Sequence, residues 1–394
     1  MDTAKSNYPV IDKTKLSAFM DKVMMLNDLP GLAVGVSMGT EEFIGVSGYS
    51  NYIEKTPILA SNYFHCASVS KLMTGSAVMK LVEAGSLSLD DTLSKLLPDL
   101  KIYYKGREMC HEIRLWNLLS HTSGMGDCDG YHWDKPLFHD DALKEYVYSN
   151  EVSLTPMLWE PQASASYEGE AGVDSKFRYS NIAYEILGHI VSEYSSSISN
   201  DLDACSNGKT SKLSYEDFIR EFFIAPSGMN NSTMNTSERD GWASQVSNIS
   251  KPWPALPHVK DENRDIQLVE FYPYTRDHAP SSTLTSTVSD LLKLGRAHLS
   301  GSLLKKETYE KVWTPVATVP NNGEKMGLGW FMRKQNSPDG TEYQLMGHEG
   351  TDDGFRASFW LCPDLDLTMT VLCNMSGSPT KKICKQLFTQ LFVS

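Results

Sequence analysis

The chain has 394 residues, 36 Lys and Arg against 49 Asp and Glu, and a formal net charge of −13. That acidic balance, without a Lys/Arg cluster, excludes the phosphate-driven binding of nucleic acids, which depends on clustered cations. No apolar run approaches the ~18–20 residues that span a bilayer, and residues 1–30 lack the continuous apolar core of a signal peptide.

The expectation is therefore a cytoplasmic chain with no membrane span, the mature form of an exported protein being the alternative. With 41% hydrophobic and 10% aromatic residues, the composition is that of a globular enzyme, and its length suits two domains. Seven cysteines (66, 110, 128, 205, 362, 373 and 384) form no C-x-x-C pair, so they read as buried thiols with no disulfide framework. Asn-x-Ser/Thr triplets begin at Asn230, Asn231, Asn235, Asn248 and Asn374 and matter only in a secreted chain.

In chain order, an amphipathic helix opens the sequence, with Leu16, Phe19, Met20, Val23 and Met24 on one face and Pro30-Gly31 as its stop. Strands are expected over 32–38 and 43–48, joined through Gly39-Thr40-Glu41-Glu42 as a hairpin. A largely apolar helix follows over 68–83, closed by Gly85. Residues 100–285 read as helical and loop-rich, with a clear helix over 182–194 and surface excursions over 205–211 and 242–257.

Strand-length segments return at 328–334, 343–350, 355–361 and 367–373. In the last, Leu367, Met369, Val371 and Cys373 alternate with Thr368 and Thr370, the pattern of a strand with one buried face. A final helix is expected over 380–392. Strands at both ends and helices between predict an α/β (α+β) fold: one antiparallel sheet flanked by terminal helices and interrupted by a helical insertion. The domain boundaries expected are 1–100 with 281–394 for the sheet domain and 101–280 for the insertion, with the active site in the cleft between.

Three short motifs carry chemistry. In Ser68-Val69-Ser70-Lys71, i and i+3 lie side by side on a helix, so the amine reaches the hydroxyl. A serine becomes a nucleophile when a base takes its proton, and lysine serves once burial or another cation lowers its pKa. Tyr179-Ser180-Asn181 precedes the 182–194 helix, and there Tyr179 is a general base or acid while the Asn181 amide holds either Lys71 or a substrate carbonyl. In His348-Glu349-Gly350, His348 and Gly350 share one strand face and Glu349 the other. Gly350 lets substrate lie along the strand edge, and the Thr351 N–H is a candidate second oxyanion donor beside that of Ser68. Taken singly, each motif also fits a plain structural reading: a helix cap with an exposed lysine, a packing tyrosine before an Asn cap, and a surface histidine beside a turn.

Together, in this order, they resemble the motifs of the serine β-lactamase and penicillin-binding superfamily, with Y-x-N and H-x-G as in its class C-like branch. LLSHTSGM (118–125), FRYSNIAYEILGHIV (177–191), PSSTLTSTVSDLLKLG (280–295), GLGWF (327–331) and GHEGTDDGF (347–355) extend the resemblance along nearly the whole chain. That branch also holds D-Ala-D-Ala carboxypeptidases and family VIII carboxylesterases. The resemblance implies a β-lactamase/transpeptidase-like fold and an acyl-enzyme on Ser68, with Lys71 and Tyr179 managing its proton. Asn181, His348, Gly350 and Thr351 then contact substrate or oxyanion.

Class C β-lactamases carry lysine where this chain has His348, which favours an esterase over a β-lactamase or D-amino-acid peptidase, with acyl transfer a further option. The reading from another class is a catalytically silent ligand- or penicillin-binding homologue. The expected partner is a small ester or amide substrate, with no cofactor and no metal.

Other signals are set aside. Gly35-Val36-Ser37-Met38-Gly39 matches a nucleophile elbow but leads into a strand instead of a helix. Gly208-Lys209-Thr210 lacks the first glycine of a phosphate loop. Asp127, Asp129, His132, His139, Asp140 and Asp141 crowd one segment without metal-ligand spacing and read as a polar loop over the cleft.

Overall fold

A computed structural model describes residues 9–128, 130–161, 167, 176–199, 212–235, 254–320 and 322–392. The excursion over 205–211, most of that over 242–257, Asp129, Cys205, Gly208-Lys209-Thr210 and the Asn248 triplet lie outside these residues.

Helix α1 (Lys13–Asn27) starts at Asp12, whose Oδ1 accepts the Lys15 N–H at 3.0 Å. It buries Leu16, Met20 and Val23, with Phe19 and Met24 half-buried beside them. The helix stops before Pro30-Gly31, because Asp28 takes a left-handed φ of 49° and its N–H returns to Met24 O. Strands β1 (Gly31–Met38) and β2 (Glu41–Asn51) form the expected hairpin with a tighter turn, since Glu41 and Glu42 belong to β2 and Met38 pairs with Glu41 across Gly39-Thr40. Gly39 supplies φ +56° there. Ser37 is buried inside β1, so the elbow-like motif belongs to a central strand.

Strand β3 (Thr56–Pro57) ends one side of the sheet, and the other strands come from the C-terminal third. These are β4 (Ala317–Thr318), β5 (Lys325–Met326), β6 (Phe331–Asn336), β7 (Glu342–Asp352), β8 (Phe355–Cys362) and β9 (Leu367–Cys373). All pair antiparallel in one nine-stranded sheet of order β4-β5-β6-β7-β8-β9-β1-β2-β3. The strand expected from 328 is β6, which begins at Phe331, three residues later. The preceding Gly327-Leu328-Gly329-Trp330 instead packs on helix α2 (Ser70–Glu83), where a Cβ on Gly75 would lie 3.0 Å from Gly329 Cα.

Strand β9 departs from expectation, because both of its faces are buried. Leu367, Met369, Val371 and Cys373 join the apolar cluster under α1 and α5 (Thr380–Gln390). The threonine face is covered by α4 (Val288–Leu299), where a Cβ on Gly295 would come within 2.2 Å of Thr368 Oγ1. A glycine at that position lets helix and strand approach closely enough to bury hydroxyls along with carbon. The sheet is thus the middle layer between α1/α5 and a second helical layer.

That second layer holds α2, α4 and α3 (Asn181–Tyr194). Side chains of α2, α3, β7 and β8 share one continuous core. Lys71 lies inside it with no exposed surface. Among the described residues all cysteines are free thiols, buried except for half-buried Cys128, and no helix is long and apolar enough to cross a membrane. Asn374 donates its amide to the carbonyls of Tyr49, Ser50 and Leu256 and is fully buried, so its triplet offers no modification site in the folded chain.

Candidate active site

Ser68 sits on a single 3₁₀ turn (Ala67–Val69) that runs into α2. The turn is strained at Ala67, whose φ is +48°, a conformation that costs a non-glycine residue roughly 1 kcal/mol or more. Its surroundings hold it there. The Cys66 N–H donates to Leu284 O at 2.7 Å, and Ser70 Oγ donates to Ala67 O at 2.7 Å while accepting the Leu284 N–H at 2.8 Å. Gly350 of β7 closes the other side, since a Cβ there would stand 2.2 Å from Cys66 O. Gly350 therefore gives room to the turn that carries Ser68, a role beyond the substrate clearance read from the sequence.

One helical turn on, Lys71 Nζ donates to Ser68 Oγ at 3.1 Å, to Asn181 Oδ1 at 2.6 Å and to the Ser281 carbonyl at 2.8 Å. Burial pulls its pKa down to about 8, against the opposing charges of Glu185, Asp127 and Asp352. At pH 7 roughly a tenth of the amine is then neutral. Of the two roles open to Asn181, the geometry gives it the lysine. Its Nδ2 donates to Asp127 Oδ2 at 3.1 Å and its backbone N–H to Asp127 Oδ1 at 2.8 Å, so the whole amide is engaged.

Tyr179 arrives on the loop before α3, and the 118–125 motif explains how. His121, itself at φ +56°, accepts the Arg178 N–H on its carbonyl at 2.8 Å and the Ser180 N–H on Nδ1 at 3.2 Å. The two residues flanking Tyr179 are thus tied to one histidine, whose ring lies 4.4 Å from that of Tyr179. Burial holds this imidazole neutral, well below its ordinary pKa, as the acceptor role of Nδ1 requires. The Tyr179 hydroxyl is hydrogen-bonded to Ser68, but burial dominates and pushes its pKa well above the ordinary value, so the phenol rests protonated. Lys71 Nζ lies 5.0 Å from the Tyr179 ring centroid. Hydroxyl, amine and phenol therefore share one site.

On β7, the ladder to β6 ends at the Phe331–Gly347 pair, so His348, Gly350 and Thr351 are paired only with β8 and no strand pairs with their other edge. His348 is buried, its Nδ1 donates to Glu349 O at 2.6 Å, and burial followed by the Lys71 charge lowers its pKa to about 3. It brings no cation. Arg356, opposite Thr351 on β8, keeps its charge and donates Nη1 to the carbonyls of Asp352 and Phe355. Glu349 points to the opposite face and accepts the Trp360 Nε1–H at 2.7 Å.

Several contributors were invisible in the sequence. Ser281 acts through a carbonyl, which no side-chain motif reveals. Asp127 was legible only as part of an acidic crowd, and its partner Asn181 is 54 residues away. Asp352 accepts from Ser282 Oγ and lies 2.7 Å from His65 Nε2, tying the segment before Ser68 to the end of β7. Among the described residues no cluster of three His, Cys, Asp or Glu side chains is arranged to hold a metal.

Comparison with known proteins fits this architecture. Penicillin-binding protein 4* of Bacillus subtilis is 27% identical over 338 residues, covering 83% of this chain and 64% of its own length. Protein flp of Staphylococcus aureus is 22% identical over 382 residues, covering 96% of this chain and 66% of its own length. The chain thus spans about two thirds of the length of these curated relatives.

Among solved structures, the octameric penicillin-binding protein homologue from Pyrococcus abyssi superposes with a TM-score of 0.74 at 24% identity, covering 97% of this chain and 77% of that one. D-amino acid amidase from Ochrobactrum anthropi SV3 gives 0.67 at 18% identity, covering 96% of each chain. Both share the fold. Since residues 16–387 match the family model described as Beta-lactamase, the chain belongs to the beta-lactamase family.

Proposed function

We propose that this chain is a serine hydrolase that cleaves a carboxylic ester through an acyl-enzyme on Ser68. The observation that carries the reading is the buried Lys71 amine, 3.1 Å from Ser68 Oγ with its pKa lowered to about 8. Neutral Lys71 takes the Ser68 proton as Oγ attacks the carbonyl carbon, and the backbone N–H groups of Ser68 and Thr351 hold the resulting oxyanion. One such donor is worth ~10²–10³ in rate. The leaving alkoxide takes a proton relayed through Tyr179 Oη, which rests protonated and is better suited as acid than as base. Water then attacks the acyl carbon as Lys71 takes its proton, and Lys71 returns that proton to Ser68 Oγ as the acyl–serine bond breaks and the carboxylic acid leaves.

The choice of an ester rests on charge. β-Lactams and D-alanyl peptides present a carboxylate, and the third motif meets it with a neutral His348 while Arg356 is engaged on backbone carbonyls. Intact-mass spectrometry after exposure to p-nitrophenyl esters, β-lactams and D-alanyl peptides tests this. A transient acyl adduct from the esters, mapped to Ser68, is expected. A persistent adduct from β-lactams alone would make the chain a penicillin-binding protein without turnover. Hydrolysis confined to D-alanyl substrates would make it an amidase or peptidase. No adduct from any class, with no labelling by a fluorophosphonate, removes Ser68 as an activated nucleophile.

Tyr179→Phe should lower kcat for the preferred ester by ~10²-fold and leave the circular dichroism spectrum unchanged, because the ring contact with His121 survives. A near-normal rate would take the phenol out of proton transfer.

A further inference from the structure

One buried acid beside the site has no part in that mechanism. Glu185 follows Asn181 by one turn of α3 and has no exposed surface. Its Oε1 meets His278 Nδ1 at 3.0 Å, and the Ser281 hydroxyl also faces the buried carboxylate. His278 opens the short helix Ala279–Ser282, and the third residue of that helix is Ser281, whose carbonyl receives Lys71 Nζ at 2.8 Å. Tyr131 and Tyr146 pack edge-on against the His278 ring, each at 4.6 Å, and exclude water from the pair.

We infer that Glu185 is a positioning residue for Lys71: its bond to His278 fixes the turn that presents the Ser281 carbonyl, and its charge acts on the ammonium through a water-free interior. The inference rests on Lys71 being the base for Ser68. Among the carboxylates that oppose the burial of Lys71, Glu185 acts most strongly, ahead of Asp127 and Asp352. His121, His348, Tyr179 and Tyr184 also face the amine. Around the acid itself stand His278 with its neighbour Asp277, Tyr131, Tyr146, Tyr215 and the Cys128 thiol. Burial lifts the Glu185 pKa and His278 opposes that rise, while the carboxylate in turn raises the His278 pKa, so each partner favours the charged form of the other.

Glu185→Gln keeps an oxygen that can accept from His278 and removes only the charge. Without it the amine gives up its proton at lower pH, by about one unit for a single nearby charge. The readout is the second-order rate of fluorophosphonate labelling of Ser68 between pH 5 and 10, which needs no turnover. The acid limb should move down by about one pH unit, so labelling at pH 6 relative to its plateau rises about tenfold.

His278→Gln should move the limb the same way, because a buried carboxylate without its cation takes up a proton, and it serves if the first variant does not fold. An acid limb left in place in both variants, or an even loss of rate at every pH, overturns the inference and makes Glu185 a packing residue. A wild-type protein unlabelled at every pH overturns instead the assignment of Ser68, and this inference with it.

Discussion

Lys71→Met is expected to lower turnover by ~10³–10⁴-fold and still give a folded protein. Methionine follows the path of the lysine stem through the core but offers Ser68 Oγ no base. The stability side follows from proton linkage. Unfolded, the amine keeps its proton up to its ordinary pKa of 10.5, whereas in the folded chain it releases it near 8. Between those values the unfolded chain binds more protons, so this group adds stability as pH rises from 8 to 10.5. At pH 7 the buried ammonium accordingly costs about 3 kcal/mol.

The variant removes that cost but leaves Asn181 Oδ1 and the Ser281 carbonyl without their donor, at about 1–3 kcal/mol each. The terms nearly cancel, and this is why the variant should fold. Steady-state hydrolysis of a p-nitrophenyl ester measures the first effect. Denaturant unfolding of both proteins at pH 8 and pH 10 measures the second, and the wild type should gain on the variant as pH rises. Equal pH dependence in the two would show that Lys71 is not titrating in the folded chain.

The fold was legible where a side-chain pattern has a single structural solution. The 13–27 helix, the hairpin across Gly39-Thr40 and the alternation in β9 were all written in residue type. The one-sided burial expected for β9 was wrong because threonine reads as solvent-facing on its own. Its cover is Gly295 of α4, 73 positions before Thr368 and carrying no periodic signal. The stop of α1 was misplaced for a related reason. Pro30-Gly31 was read as the stop, but Asp28 takes the left-handed cap and ends the helix before them.

At the site, the i, i+3 spacing of Ser68 and Lys71 brought hydroxyl and amine together, but the helix expected from 182 behind an Asn181 cap begins instead at Asn181, capped by Ser180, whose Oγ accepts the Ala183 N–H. What residue types could not convey was backbone chemistry: the Ser281 carbonyl on the amine, and the two His121 bonds that orient Tyr179. Protonation states were hidden as well, because they come from burial. Tyr179 and Lys71 looked equally able to act as base until the interior separated them, one raised and the other lowered.

Gly350→Ala should disable the enzyme without touching a polar group. The added methyl would stand 2.2 Å from Cys66 O, closer than the 3.0 Å that real contacts of this kind require. Neither side yields cheaply. Gly350 is fixed in the β7–β8 ladder opposite Ala357, whose Cβ would lie 3.1 Å from the new methyl. Cys66 is tied to Leu284 and is followed by Ala67 in its strained conformation. The turn must retreat by about 0.8 Å, carrying Ser68 away from Lys71 and from the oxyanion edge, and a misplacement near 1 Å costs about 10²-fold in rate.

Overpacking of this kind also costs about 1–3 kcal/mol of stability. Thermal unfolding and ester hydrolysis together separate the outcomes. Lower stability with lower kcat is expected, and fluorophosphonate labelling should slow in parallel because the nucleophile itself has moved. Full labelling with impaired hydrolysis would instead place the role of Gly350 in seating substrate along β7, as its position on the open edge first suggested.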